Sequence, residues 1–195
     1  MASSATLEGF SWLVDAINKH KVAPGEGGAA RPAFTTGRLG MVTQGVNSIA
    51  ATSRSSSFPW DIVLLPKGKT GRPNFAGTLF YGLSAGTKLP DASWTFLKFL
   101  CGQEGQGRFV KTQIGAPGLK GLDKTYLELP PPPNNRKAVT DSIQYLKALP
   151  KTLKMMEIYD PVYTKQMADA FAGKVSPGEA ARQIDSQVAA ILAKK

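Results

Sequence analysis

Glycine and proline divide this chain into short segments. Its 195 residues include 20 glycines and 14 prolines, and both residues interrupt helices and strands. We therefore expect short helices and strands that are joined by many loops. No run of about 18 apolar residues occurs, so the sequence predicts no membrane-spanning helix.

Apolar residues at helical spacing predict the first and last helices. The first stripe, which Ser4 or Thr6 can cap, consists of Leu7, Phe10, Val14 and Ile17. Near the C-terminus, Ser176 is followed by Pro177 and, three residues after the serine, by Glu179, which is a capping box. The stripe of that last helix consists of Ala181, Ile184, Val188 and Ile191. Both helices need a surface to pack against.

Three apolar segments predict short strands. They cover residues 38–43, 60–65 and 75–85, and the second has the composition of a buried strand that ends at Pro66. The polar residues 52–58 predict a loop. Together with the helices, this pattern predicts an α/β or α+β fold in which helix dominates.

Further helices are predicted in the second half of the chain. Pro90 begins one of them, and its apolar residues are Trp94, Leu97, Leu100 and Cys101. Gly102 interrupts it before another helix follows. Pro130 to Pro133 predict a rigid extended spacer, which precedes a helix that Asn134 or Asn135 can cap. The inward residues of that helix are Val139, Ile143 and Leu146. Another helix is predicted over residues 161–172.

The charge of the chain is strongly positive. Its 24 lysine and arginine residues outnumber 14 aspartate and glutamate residues, which gives a formal net charge of +10. A basic nucleic-acid-associated module is therefore one alternative function. The basic residues are scattered, however, and no nucleic-acid-binding motif occurs. The distribution favours a solvated basic surface with no nucleic-acid partner.

The sequence offers little chemistry for catalysis. A single cysteine, Cys101, excludes an internal disulfide, and a single histidine, His20, disfavours a zinc site or a histidine-based triad. Cys101 lies among leucines, which predicts a buried, inert thiol. The loop from Gly68 to Gly71 lacks the Lys-Ser/Thr pair that a phosphate-binding loop needs after its second glycine. We therefore expect neither an enzyme nor a bound cofactor or metal.

Four aromatic residues suit a sugar site: Phe80, Tyr81, Tyr159 and Tyr163. Aromatic rings stack on the C–H faces of sugars, and neighbouring amides or carboxylates bind the hydroxyl groups. Most aromatic residues in a protein belong to its core, so these four by themselves leave a core role open.

Six segments in a fixed order resemble bacterial extracellular solute-binding proteins of ABC sugar importers, the maltose-binding-like family 1. They are 34–47 (with FTTGRLGM and GVN), 58–68 (FPWDIVLLPKG), 75–84 (FAGTLFYGLS), 90–100 (PDASWTFLKFL), 103–106 (QEGQ) and 115–117 (GAP). No single segment is decisive, but their order extends the resemblance over nearly the whole chain.

The resemblance implies only the C-terminal half of that family. The expected fold is therefore α/β and helix-rich, like the C-terminal half of a type II periplasmic binding protein without most of its N-terminal lobe. Residues 1–64 would form the first part of the C-terminal lobe, residues 65–118 would belong to the N-terminal lobe, and residues 119–195 would complete the C-terminal lobe.

The resemblance also implies where a solute would bind. In the family the solute lies between two lobes that close by a hinge motion. By position, the ligand-binding residues would be Gly45, Asn47, Gly77, Thr78, Phe80, Tyr159 and Asp160. The family often has tryptophan where Asn47 stands, so an amide replaces a stacking ring. A second role for Asn47, as a helix cap, is equally compatible with the sequence.

The implied partners are a sugar or sugar-like solute, an ABC permease in the membrane, and either the missing N-terminal lobe or another copy of the chain. The implied location is periplasmic or extracellular and membrane-associated, although the pattern of residues 1–21 does not predict a signal peptide. A fragment with only a structural or oligomerising role is another alternative. Incomplete sheets would expose strand edges and apolar faces, so we expect a poorly stable monomer or an assembly.

Overall fold

The computed structural model describes residues 3–25, 30–69, 71–75, 77, 80–148 and 150–194. Its α-helices are α1 (Ser4–Asn18), α2 (Ala30–Thr35), α3 (Ile49–Ser55), α4 (Pro90–Cys101), α5 (Gln103–Lys111), α6 (Asp123–Leu127), α7 (Lys137–Ser142), α8 (Met155–Ile158), α9 (Lys165–Phe171) and α10 (Pro177–Ala193). Val46–Ser48 and Ile143–Tyr145 are 3-10 helices, and Tyr159–Thr164 is a π-helix. Two strands, β1 (Asn74–Phe75) and β2 (Leu146–Lys147), pair in parallel, with Asn74 opposite Leu146 and Phe75 opposite Lys147.

The chain divides into two compact units. The first consists of Met1–Pro32 and Pro150–Lys195, and the second is Ala33–Leu149. The first unit is therefore built from both ends of the sequence. In the part of the chain that the structure describes, no helix is both long enough and apolar enough to cross a membrane.

The core of the first unit forms where α1 packs against α9 and α10. Phe10 and Val14 of α1 are buried together with Ala170 and Ala180. Phe10 meets Phe171 edge to face, with ring centroids 6.0 Å apart, which is a favourable arrangement for two aromatic rings. The predicted amphipathic stripe of the first helix is thus the surface that holds the two ends of the chain together.

Serine residues cap both long helices of the first unit. Ser176 Oγ accepts a hydrogen bond from the Glu179 backbone N–H at 3.2 Å, as the capping box predicts. At α1 the cap is Ser3, whose Oγ accepts from the Thr6 N–H at 3.3 Å. The predicted caps Ser4 and Thr6 are therefore wrong, because α1 already begins at Ser4.

The core of the second unit is a cluster from four helices: Ile49, Val110, Tyr126 and Val139. Trp60 and Ile62 are partly buried against this cluster. α3 begins at Ile49, before the predicted polar loop 52–58, and ends at Ser55, so that prediction is wrong over its first four residues. The apolar residues Ile49 and Ala50 and the buried Thr52 anchor this helix in the core, which outweighs the weak helix preference of its serines.

A buried arginine organises the loop before α7. Arg136 is 1% exposed, and its Nη2 donates to Gln113 Oε1 at 2.9 Å and to the carbonyl of Pro130 at 2.7 Å. Its Nε donates to the Leu129 carbonyl at 3.3 Å. The loop also contains two cis peptide bonds, Pro131–Pro132 and Pro132–Pro133. The segment bends so that the carbonyls of Pro130 and Pro132 both accept from the guanidinium, and the prediction of an extended spacer is wrong.

The helix after this loop is shorter than predicted. α7 follows Arg136 and ends at Ser142, and neither Asn134 nor Asn135 caps it. Val139 is buried as expected, but Ile143 is 54% exposed.

The predicted strands do not form as predicted in the described residues. Residues 38–43 form no ladder, and neither does 60–65, where Val63 is 83% exposed. Of segment 75–85, Phe75 pairs with Lys147, while Ala76, Thr78 and Leu79 lie outside the described residues. A strand needs a neighbouring strand with which to pair, and in the described part of the chain the only ladder between named strands is two residues long.

Candidate functional site

The candidate segment Gly45–Asn47 forms a tight turn in the second unit. The Ser48 N–H donates to the Gly45 carbonyl at 3.0 Å, which closes the 3-10 turn Val46–Ser48. The side chain of Asn47 folds back so that its Oδ1 lies 2.6 Å from the position that a Cβ on Gly45 would occupy. Any side chain at position 45 would therefore displace the Asn47 amide.

The core holds this turn in place. Val46 packs against the buried cluster of the second unit, and Ile49, which follows the turn, is part of that cluster. The Asn47 side chain is exposed and caps no helix, since Gly45 caps the 3-10 turn and Ser48 stands at the N-cap of α3. The cap role is therefore wrong, and the structure presents an exposed amide on an anchored turn.

The segment 77–80 is only partly described. Gly77 is exposed, and a Cβ there would lie 3.2 Å from Cζ of Phe75, so a side chain at this position would crowd the Phe75 ring. Phe80 is 89% exposed, and Thr78 lies outside the described residues. Phe80 makes no ring contact with another described aromatic residue.

Tyr159 and Asp160 lie in the first unit, at the start of the π-helical turn Tyr159–Thr164. Pro161 has no N–H to continue an α-helical pattern, and the Thr164 hydroxyl donates to the Tyr159 carbonyl at 3.0 Å. Val162 is 4% exposed and fixes the turn to the core. π-helical turns are frequent at functional sites.

The two tyrosines of this turn form a stacked pair. The ring centroids of Tyr159 and Tyr163 are 6.0 Å apart, and the rings are within 17° of parallel. Tyr159 is 56% exposed, whereas Tyr163 is half-buried and supports it from behind. Asp160 is exposed beside them. The turn therefore offers an open aromatic face next to a carboxylate, which suits the apolar face and the hydroxyl groups of a sugar.

Helical spacing adds Met156 to this group. It is 73% exposed and lies three residues before Tyr159, so its side chain falls on the same side of the chain one turn earlier. The i, i+3 spacing in the sequence is the signal that could have indicated it.

The structure contradicts one expectation about chemistry. Cys101 is exposed, so the prediction of a buried thiol is wrong. Its helix α4 buries none of its residues. Among the described residues, no group of three or more His, Cys, Asp or Glu side chains could hold a metal ion.

The sequence profile of the bacterial extracellular solute-binding proteins matches residues 2–140. The chain belongs to this family. A comparison with curated protein sequences found no match.

Solved structures of solute-binding proteins share the fold of this family member. An ABC substrate-binding protein, Lmo0181, from Listeria monocytogenes in complex with cycloalternan aligns with a TM-score of 0.81 and 20% identity over 99% of this chain. The maltose–maltodextrin binding protein of Alicyclobacillus acidocaldarius aligns with a TM-score of 0.81 and 18% identity over 95% of it. The predicted helix-rich fold, which corresponds to about half of a solute-binding protein, is thereby confirmed.

This solute-binding family member spans only about half the length of the two aligned chains. It covers 50% of each of the two aligned chains. The family and both structures are described as binding proteins.

Proposed function

We propose that this chain is part of a two-lobed protein that binds a sugar or sugar-like solute for an ABC importer. The observation that carries the proposal is the family match over residues 2–140. Both aligned structures are sugar-related, since one holds cycloalternan and the other is a maltose–maltodextrin binding protein. The protein would act by binding and not by catalysis.

The proposed contacts divide between stacking and hydrogen bonding. The exposed ring of Tyr159, supported by Tyr163, would stack on the apolar face of the solute. The Asn47 amide would bridge neighbouring hydroxyl groups, and Asp160 would accept hydrogen bonds from others. Gly77 would let the solute approach the backbone. Phe80, Thr78 and Gly45 complete the proposed set.

The proposed partners follow the family. The protein would deliver its solute to an ABC permease at the outer face of the membrane, where this contact makes it membrane-associated. Residues 65–118 would belong to an N-terminal lobe, and residues 1–64 and 119–195 to a C-terminal lobe. The remaining part of the N-terminal lobe, or another copy of the chain, would complete the assembly.

The test is a titration of the 195-residue chain, alone and together with the polypeptide encoded directly upstream of residue 1. The solutes are maltose, linear maltodextrins and cycloalternan. Calorimetry and thermal shift measure their binding. We expect saturable binding that weakens about tenfold with Tyr159→Ala and a few-fold with Asn47→Ala, because the first change removes about 1.4 kcal/mol of contact and the second about 0.8 kcal/mol. Indifference of both preparations to every solute would overturn the sugar assignment.

Gly45→Ala provides an independent test of the Asn47 amide. The new Cβ would lie too close to Asn47 Oδ1, so the amide would turn away. Residues 45 and 47 would both remain exposed. We expect weaker solute binding with little change in the free energy of unfolding. The matched control is Gly82→Ala, since a Cβ at Gly82 meets no atom within 4 Å.

A further inference from the structure

The C-terminal end of α10 binds a lysine side chain from another part of the first unit. Lys154 Nζ donates to the Ile191 carbonyl at 2.9 Å and also to the Lys194 carbonyl. The last carbonyls of a helix have no partner within the helix, and they form the negative end of its dipole. The last turn of α10, all of which the structure describes, contains no basic residue of its own. Lys154, which lies 37 residues before Ile191, therefore supplies the cation at this helix end.

The backbone around Lys154 is fixed by hydrogen bonds of its own. The Lys154 N–H donates to Thr152 Oγ1 at 3.2 Å, and the Lys154 carbonyl accepts from the Ile158 N–H at 3.1 Å. The Met155 N–H donates to the Thr152 carbonyl at 3.3 Å. Lys154 is half-buried and stands at the N-cap of α8. Its side chain therefore connects a hydrogen-bonded segment, and not a loose loop, to the end of α10.

Helix α8 leads directly into the turn that carries Tyr159. The π-helical turn Tyr159–Thr164 begins at the residue after α8 ends. The Tyr159 N–H donates to the carbonyl of Met155, the residue that follows Lys154. α10 also contacts both α8 and the π-helical turn. A shift of α8 along α10 would therefore move the ring of Tyr159.

We propose that Lys154 is a positioning residue for the aromatic face of Tyr159. It holds α8 at the end of α10 and so keeps the stacked pair of Tyr159 and Tyr163 in one orientation. Tyr163 and Val162 support the turn from residues that follow Tyr159, whereas Lys154 supports it from the preceding side. This role rests on the proposed solute binding and adds to it a residue outside the proposed contacts.

Hydrogen exchange of the full chain tests this role without any solute. Lys154→Met keeps the apolar stem of the side chain but removes the charge. We expect amide exchange to become about threefold faster over residues 155–164 and 190–194, because the helix end loses its cation. Exchange in α1 should stay as in the parent. Lys154→Arg should restore the parent rates, since a guanidinium can donate to both carbonyls.

Lys151→Met is the matched control for the loss of a lysine. Lys151 lies three residues earlier, is exposed, and has no ion pair among the described residues. We expect its exchange to match the parent. Unchanged exchange over residues 155–164 in Lys154→Met would overturn the inference. An equal rise in α1 would also overturn it, because general destabilisation would then explain the result.

Titration with linear maltodextrins separates this inference from the proposed function. In the preparation that binds them, we expect about threefold weaker binding with Lys154→Met and parent affinity with Lys154→Arg and Lys151→Met. Parent affinity in Lys154→Met despite faster exchange would overturn the role in solute binding. If the parent chain binds no maltodextrin in either preparation, the proposed sugar function fails, while the exchange rates still decide whether Lys154 holds the turn.

Discussion

The guanidinium of Arg136 lies over the ring of Tyr126, with Cζ 5.7 Å from the ring centroid. Arg136 is 1% exposed and Tyr126 is 0% exposed. No carboxylate of the described residues pairs with this arginine, so its charge is stabilised by carbonyl oxygens, an amide and an aromatic ring. This contact between Arg136 and Tyr126 links α6 to the proline loop and to the start of α7 in the core of the second unit.

Arg136→Lys should destabilise the second unit. Lysine keeps the charge but cannot reach Leu129, Pro130 and Gln113 at once, because it lacks the planar fork of donors. We expect a loss of about 2 kcal/mol or more, which corresponds to a fall in Tm of about 4–8 °C for a chain of this size. Thermal unfolding measures it. Arg108→Lys is the control, since its side chain is 73% exposed, and an equal fall there would contradict the prediction.

Tyr126 should make the protein less stable at high pH. Burial raises the pKa of Tyr126 above its ordinary value of 10.0, and the Arg136 charge offsets part of this rise. The folded state therefore keeps the phenol neutral while the unfolded chain ionises, so stability is full below pH about 10 and falls above it. Urea unfolding between pH about 9 and about 11 should show this slope. Tyr126→Phe should reduce the slope, whereas Tyr81→Phe, at an exposed tyrosine, should leave it unchanged.

Gly105 should not tolerate a side chain. A Cβ at this position would lie 2.2 Å from the Phe99 carbonyl oxygen and 2.8 Å from Cα of Leu100, where α5 turns back on α4. We expect Gly105→Ala to cost about 1–3 kcal/mol, because backbone atoms must move. Gly107→Ala, in the same helix, meets no atom within 4 Å and should be neutral or stabilising by up to about 1 kcal/mol. Equal effects of the two changes on urea unfolding would rule out the steric explanation.

Asp169 should contribute to stability at neutral pH and lose that contribution in acid. Its carboxylate accepts from Lys165 Nζ at 2.8 Å and from Lys174 Nζ at 3.1 Å. These hydrogen bonds, that from Lys165 first, lower the pKa of Asp169 below its ordinary value of 3.8. The contribution is complete above the pKa of the unfolded chain and is lost as the pH falls through the lower folded pKa.

Unfolding of Asp169→Asn between pH about 6 and about 3 checks this prediction. The variant should be less stable than the parent at pH about 6 and should lose less on acidification. Glu157→Gln, at an exposed carboxylate with no described ion pair, is the control. If the parent and Asp169→Asn lost equal stability on acidification, the Asp169 carboxylate would not be the cause of that loss.

The sequence by itself determined the local elements whose signals lie within a few residues. Ser176 and Glu179 defined the start of α10, Pro90 and Gly102 bounded α4, and the spacing of Phe10 and Val14 identified the buried side of α1. Caps, breakers and helical periodicity act over a single turn, so no distant residue was needed to interpret them. The order of the six motifs likewise identified the family.

Tertiary structure alone decided everything that depends on distant partners. Residues 60–65 have strand composition but find no adjacent strand in the described residues, and Cys101 has leucine neighbours but no covering element. The four prolines form a loop in which Arg136 binds the carbonyls of Pro130 and Pro132. The ring of Tyr159 presents an open face because Tyr163 and Val162 hold its turn in place. Strand pairing, burial of a charge and exposure of a ring are all set by groups far away in the sequence, which no local pattern contains.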